Sequence, residues 1–371
     1  MMDKPLRSIH IEPPLLNSAN PWCSTLEQLQ ELYDCPHTGA VTTRTSLLEG
    51  FPNDENIHQF AFFNSSTLEA GSANPTKQEN EDASGSLNTL GYSPLPLKEY
   101  LGYIKTISDR LPGGKTSTDR IKPFIISVTG TVEEVVSCYK QILEQQHHVR
   151  MALAMEVNLS CPNIPGKPPP AYSSDSLLGY LVALKQEIAQ QVEPVIAGKH
   201  THVGTTHVPI GIKTPPYTYH DQYQSLINAL LESAKAGPAH LPCPISFITA
   251  TNTLGSSLLL RPIAESTKSS PDPHEYFHHV LNSANGTGIG GLAGAPLHPL
   301  ALGNVYTIKG MLFQHDELNH IQIIGVGGVE DAEGYKRMKA VGATAVGVGT
   351  GLGRKGIQAF ADIAKGLSAP N

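Results

Sequence analysis

The sequence predicts a (β/α)8 barrel, a TIM-barrel fold of the α/β class, and three observations lead there. Apolar, β-branched runs recur along the 371 residues, amphipathic stretches of helical period separate them, and the runs can be counted to eight. Runs that are apolar throughout fit strands buried on both faces, as a parallel sheet requires. Repeated β-then-α units supply the crossovers of such a sheet. Eight strands favour a closed barrel over a doubly wound sheet.

In chain order, the first clear run is "GAVTT" (39–43), followed by a weaker one at "GSLNTLG" (85–91). "PFIISVTG" (123–130) leads into a helical stretch at 131–146, which opens with Thr131 and Glu134 in the spacing of a capping box. Cys138 falls inside that helix, in a packing role. "ALAMEVNLS" (152–160) and "VPIGIKT" (208–214) come next, then a helix at 222–236. "ISFITATNT" (245–253), "IQIIGVGG" (321–328), a helix at 330–342 and "ATAVGVGT" (343–350) complete the rhythm. The weak run at 85–91 is needed to reach eight. Polar stretches interrupt this pattern: 64–85 reads as a flexible insertion, and 112–119 and 266–273 are similar in composition. The whole chain, 1–371, is expected to form one domain.

Composition narrows the class. Forty per cent hydrophobic residues with only 16% charged suit a packed core, and 34 glycines with 29 prolines indicate many loops. A net charge of −7 carries no basic footprint, so nucleic acid is not an expected partner. The first residues lack the apolar core of a signal peptide or anchor, and no run approaches the roughly eighteen apolar residues of a membrane span. Five cysteines without zinc-type pairing fit free thiols in a reducing compartment. A cytoplasmic enzyme is the expectation.

In a barrel, catalytic groups gather at the C-terminal ends of the strands. Those ends carry Arg44, Asn158 with Cys161 and Asn163, Lys213, and Asn252 with Thr253. An asparagine amide both donates and accepts, which suits a planar heterocycle with alternating N–H and C=O groups. Single loop asparagines ordinarily stabilise turns; several at successive strand ends favour a ligand. Cys161 lies beyond its strand in a polar, proline-braced loop, where a thiolate can serve as general base. The turns at Gly327-Gly328 and Gly349-Thr350 each join a strand to a helix, the setting of a phosphate site.

Other motif matches lead nowhere. "HEYFH" (274–278) satisfies a zinc-helix signature, but Leu281 occupies the glycine of its continuation and no carboxylate follows until Asp316. A surface helix is the expected reading. "GTGIGG" (286–291) follows no strand and lacks the acidic residue of a dinucleotide fold. Sequons at Asn64, Asn158 and Asn285 are idle without secretion. No metal is expected.

With these residues assembled, the chain resembles the dihydroorotate dehydrogenase family, as a divergent, fungal-like member of its cytosolic, fumarate-linked class. "NLSCPNIPGKP" resembles the catalytic loop of that class over its whole length, and "GSLNTLG", "GIKTPPY", "GGLAGAPLHPLALGNV", "IIGVGGVEDAEG" and "GATAVGVGT" follow in the family's order. The resemblance implies FMN as cofactor, Cys161 as the base, and a homodimer acting in pyrimidine synthesis. It implies substrate contacts from Arg44, Asn88, Leu90, Gly91, Asn158, Asn163, Asn252 and Thr253. For the flavin it implies Ala19, Asn20, Arg44, Thr45, Asn158, Lys213, Gly291, Gly327, Gly328, Gly349 and Thr350. Dihydroorotate would be oxidised to orotate, with a fumarate-like acceptor and no membrane partner. Arg44 departs from the family's lysine, and arginine is not interchangeable with lysine at a close contact. That departure keeps open a related flavin enzyme acting on another dihydropyrimidine. A non-catalytic barrel paralogue is the remaining alternative, disfavoured by the retention of Cys161 with four asparagines.

Overall fold

The computed structural model describes residues 8–75, 82–112, 121–164, 166, 168–196, 207–263 and 277–368. The chain opens with β1 (Leu15–Asn17), α1 (Leu26–Asp34) and β2 (Val41–Thr42). It then leaves the barrel for β3 (Phe60–Phe63) and β4 (Gly85–Asn88), returning through α2 (Leu97–Asp109). Three units follow: β5 (Phe124–Val128) with α3 (Val132–Gln146), β6 (Leu153–Asn158) with α4 (Ser174–Ile196), and β7 (Ile210–Thr214) with α5 (His220–Lys235). After β8 (Ile245–Ala250), a second excursion supplies β9 (Leu254–Ser257), β10 (Leu260–Pro262), β11 (Phe277–His279) and β12 (Gly290–Gly294) ahead of α6 (His298–Phe313). β13 (Gln322–Val326), α7 (Ala332–Ala340), β14 (Ala345–Val348), α8 (Thr350–Lys355) and α9 (Gln358–Ser368) complete the described chain.

Eight parallel strands lie in the order β1-β14-β13-β8-β7-β6-β5-β2. The seam between β1 and β2 is bridged by Leu16 against Ala40, which brings the sheet round into the predicted barrel. Asn17 completes the seam with its side chain. Its Oδ1 accepts from Thr42 N at 2.9 Å and its Nδ2 donates to Thr42 O at 2.6 Å. A side-chain amide thus replaces one pair of ladder bonds where the strands are too short to supply it.

The count of eight holds, but one member differs. "GSLN" (85–88) is β4, part of a separate antiparallel sheet of order β3-β4-β12-β9. The eighth barrel strand is β1, three residues set between two prolines and the polar Ser18, so no longer apolar run marks it. In β4, Leu87 joins a small core with Ala61, Phe63, Leu259 and Leu281, so the residue types resemble those of a barrel strand. The expected surface helix at 274–278 is also corrected in its described part. Phe277 and His278 lie in β11, paired with β10, while 274–276 fall outside the described residues. Among the described residues, no cluster of three His, Cys, Asp or Glu could hold a metal.

Of the stretch expected to be an insertion, residues 64–75 form turns against β3, with Asn64 N donating to Glu69 O at 2.9 Å and Gly71 N to Phe62 O at 2.9 Å. The capping box at α3 is present, Glu134 N donating to Thr131 Oγ1 at 3.2 Å and Thr131 N to Glu134 Oε2 at 2.7 Å. Inside the barrel, Leu16, Ile125, Ala154, Phe247 and Ile324 form an apolar plug. Gly211 makes room for it, since a Cβ there would fall 2.1 Å from the Phe247 ring. A polar layer also lies in the interior: the Glu156 carboxylate accepts from Ser127 Oγ at 2.9 Å and Thr249 Oγ1 at 2.6 Å.

Candidate active site

The C-terminal strand ends surround a cavity of about 1010 Å³, its open mouth included. Such a volume suits a nucleotide-sized ligand. The β6 end supplies Asn158, Cys161 and Asn163 to its wall, β2 supplies Arg44 and Thr45, β7 supplies Lys213, and β8 supplies Asn252 and Thr253. Ala19 and Asn20 follow β1; Asn88 ends β4, and Leu90 and Gly91 follow it; Gly327, Gly328, Gly349 and Thr350 come from the last two turns. All the residues expected at a site therefore meet in one place except Gly291. Gly291 lies in β12 behind the wall, where its carbonyl accepts from Asn88 Nδ2 at 3.2 Å. A Cβ on it would fall 2.1 Å from Thr253 Oγ1, so glycine keeps the place of Thr253.

The asparagines hold one another before they hold any ligand. Asn163 Nδ2 donates to Asn88 Oδ1 and to Leu90 O, both at 2.9 Å, which ties the Cys161 loop to the end of β4. Asn158 Nδ2 donates to Thr45 Oγ1 at 3.0 Å, and Thr45 shares a 2.9 Å bond with Ser127, so the polar layer inside the barrel reaches the rim. Asn158 Oδ1 accepts from Ser160 Oγ at 3.0 Å and Asn252 Nδ2 at 3.3 Å. With its nitrogen committed, Asn163 has bonding capacity left on its oxygen. A frame fixed in this way suits a ligand that must be held in one orientation.

Among the described residues, the wall's charged groups are Arg44 and Lys213, and none is a carboxylate. Lys213 is only 4% exposed, with Ala19 O at 3.5 Å from its Nζ. Arg44 Nη2 donates to Tyr92 O at 3.3 Å, and burial pulls its guanidinium below the ordinary arginine range. Burial likewise pushes the Cys161 thiol up, opposed by the Asn163 main-chain N–H, the Lys213 charge and the Tyr92 hydroxyl. Deep burial holds the Cys23 thiol, just behind, at about 12, so Cys23 is inert beside Cys161. The cavity is built to receive an anion next to a thiol.

Several wall residues escape sequence reasoning. Tyr92 and Thr251 line the cavity, as do Trp22 and Phe60 at its edge. Trp22 stacks on Phe62 with centroids 5.6 Å apart and meets Phe60 edge-on at 5.3 Å. The one available signal was adjacency, since Tyr92 directly follows Gly91 and Thr251 directly precedes Asn252.

Fold and cavity together define a barrel enzyme whose polar site lies at the C-terminal rim. The sequence profile of the dihydroorotate dehydrogenase family matches residues 53–370, and the chain belongs to that family, one of oxidoreductases. It is 27% identical over 359 residues to "Dihydroorotate dehydrogenase A (fumarate)" of Lactococcus lactis subsp. cremoris (strain MG1363), covering 95% of this chain and 89% of the relative. It is also 27% identical over 363 residues to "Probable dihydroorotate dehydrogenase A (fumarate)" of Streptococcus pneumoniae serotype 4, covering 96% and 88%. Among solved structures, ligand-free type DHODH from Eimeria tenella superposes with a TM-score of 0.62 at 16% identity, covering 98% of this chain and 87% of that one. That last likeness speaks for the barrel alone.

Proposed function

We propose that this chain is an FMN-dependent enzyme that oxidises (S)-dihydroorotate to orotate in pyrimidine synthesis, with Cys161 as general base and fumarate as acceptor. The observation that carries the reading is Cys161 on a wall that bears Arg44 and Lys213 and, among the described residues, no carboxylate. Substrate, product and fumarate are all carboxylates, so each suits the same two cations. The acceptor comes from the relatives, whose names specify fumarate.

The wall's atoms suit FMN. Thr251 Oγ1 is buried there with no hydrogen-bond partner, and a buried hydroxyl left so is costly unless a ligand satisfies it. Gly349 and Thr350 open α8 on the wall, where the first N–H groups of a helix have no partner within it. A Cβ at Gly349 would meet only Ser18 Oγ, at 3.1 Å. We assign the phosphate to this turn and the Gly327-Gly328 turn, and the ring to Ala19, Asn20, Thr45, Lys213 and Thr251.

Held by this wall, FMN would supply the two-electron redox chemistry between substrate and acceptor. Cys161 as thiolate takes the proton from the neighbouring ring carbon. Asn88, Asn163, Asn252 and Thr253 orient the pyrimidine, and Arg44 holds its carboxylate. Lys213 faces the negative charge that accumulates during reduction. We take the working form to be a cytoplasmic homodimer, a reading that rests on the resemblance to the fumarate-linked class; among the described residues no helix is long and apolar enough to cross a membrane.

The test is a visible spectrum of the purified protein before and after anaerobic dihydroorotate. A yellow protein that bleaches, and regains colour with fumarate, is expected. A colourless protein that binds no FMN refutes the reading. Yellow protein that fails to bleach moves the substrate to another dihydropyrimidine, the outcome Arg44 would explain.

A further inference from the structure

The Gly327-Gly328 turn, to which part of the phosphate site is assigned, rests on the start of α6. Its φ angles are 141° and 67°, a conformation open to glycine and costly for other residues. Gly327 packs on Ala301, where an added Cβ would fall 2.4 Å from that methyl group. Gly328 packs on His298 and Gly294, since a Cβ there would fall 2.7 Å from His298 Cβ and 2.6 Å from Gly294 O. Both glycines line the cavity, whereas His298, the first residue of α6, is buried behind them.

The missing side chains let the turn lie on the helix, and two hydrogen bonds then fix which way its peptide faces. His298 Nδ1 lies 2.7 Å from Gly327 O, and Arg337 Nε of α7 donates to His298 Nε2 at 3.1 Å. A carbonyl only accepts and a guanidinium only donates. The Arg337 bond therefore occupies the Nε2 lone pair and leaves the ring hydrogen on Nδ1, aimed at Gly327 O. The Gly327–Gly328 peptide is trans, so its C=O and N–H point in opposite directions. With the carbonyl tied back to His298, the Gly328 N–H is turned away from α6. Among the described residues no main-chain acceptor takes up that N–H.

We propose that His298 is a positioning residue for the flavin phosphate. Held in one tautomer by Arg337, it fixes the Gly327–Gly328 peptide so that the Gly328 N–H donates to a phosphate oxygen. This rests on the reading of that turn as part of the phosphate site. Neither His298 nor Arg337 is among the residues that line the cavity, so the effect passes through one peptide plane. Two adjacent glycines leave such a peptide free to rotate. Without the imidazole it can present its carbonyl, which repels an anion, in place of its N–H.

The experiment titrates the full-length protein, freed of flavin, with FMN and with riboflavin, the same flavin without its phosphate. The ratio of the two affinities isolates what the phosphate contributes. A hydrogen bond to a charged group is among the strong ones, so His298→Leu should lower the ratio roughly ten- to a hundredfold, with riboflavin affinity unchanged. His298→Asn, whose amide N–H can take the place of Nδ1–H, should restore most of the ratio. A general loss of structure weakens both flavins alike, so equal losses overturn the proposal. An unchanged ratio in His298→Leu, or no rescue by His298→Asn, overturns it too. Native protein that binds both flavins equally well overturns the phosphate assignment, and the proposal with it. A ratio that falls as expected, in yellow protein that dihydroorotate cannot bleach, upholds His298 and overturns only the substrate. Should His298→Leu not fold, nitrogen NMR of histidine-labelled, FMN-loaded native protein reads the tautomer, with His298→Asn identifying the signal. Hydrogen on Nδ1 upholds the proposal, and hydrogen on Nε2 overturns it.

Discussion

Cys161 meets opposing influences at a single sulfur: burial favours the thiol, while Lys213, the Asn163 N–H and Tyr92 favour the thiolate. Burial dominates, so the thiol sits above its ordinary range. Only the thiolate accepts a proton, so the rate of flavin reduction should rise with pH through this raised pKa. A pH profile of anaerobic reduction checks this, and a rate that falls across the same range would assign the base elsewhere. Arg44→Ala removes one of the two cations that the described wall carries. A hydrogen bond to a charged group contributes roughly 1.5–3 kcal/mol, so KM for dihydroorotate should rise about ten- to a hundredfold with kcat less affected. An unchanged KM would place the carboxylate away from Arg44. At this scale the rim was legible because strand ends, two-way amides and turn glycines are visible by type and place. Tyr92 was not, since an aromatic residue reads as packing. Thr251 was hidden inside an apolar run, and Gly291 shows a glycine that supports Thr253 from behind the wall.

The β1–β2 seam is the element-level detail that closes the barrel. Asn17 is fully buried and bonded to both backbone groups of Thr42. Asn17→Ala would leave that N–H and C=O unpaired, each at about 1–3 kcal/mol, so a loss of about 2–6 kcal/mol is expected in denaturant unfolding. A loss below about 1 kcal/mol would mean that the seam is held by other contacts. The α/β rhythm betrayed seven of the eight barrel strands because each sits within a longer apolar, β-branched stretch, as the two-residue β2 does in "GAVTT". β1 lies between Pro13-Pro14 and Ser18 with no apolar stretch around it, so no pattern exposes it. β4 has a strand's residue types, and only its antiparallel partners β3 and β12 reveal that it belongs to another sheet.

Across the whole molecule, that second sheet and the barrel enclose the cavity between them. Ser86 and Asn88 of β4, Phe60 of β3 and Ala293 of β12 face the same space as the barrel's strand ends. Ser86 Oγ shares a 2.8 Å bond with Thr350 Oγ1, which joins the sheet to the turn assigned to the phosphate. A ligand in that space contacts both parts, so FMN should stabilise the entire fold. At a free concentration 100 times its Kd the gain is about 2.7 kcal/mol, so stripping the flavin should lower Tm by several degrees. Equal melting with and without FMN would show that it binds elsewhere or not at all. The most direct test of the account is the single-turnover rate at which anaerobic dihydroorotate bleaches the FMN-loaded protein, compared with Cys161→Ala. A positioned general base contributes about 10²–10⁴-fold, so the variant should keep its flavin and bleach slower by that factor near neutral pH. A variant that bleaches as fast as the native enzyme would contradict the claim that Cys161 removes the proton.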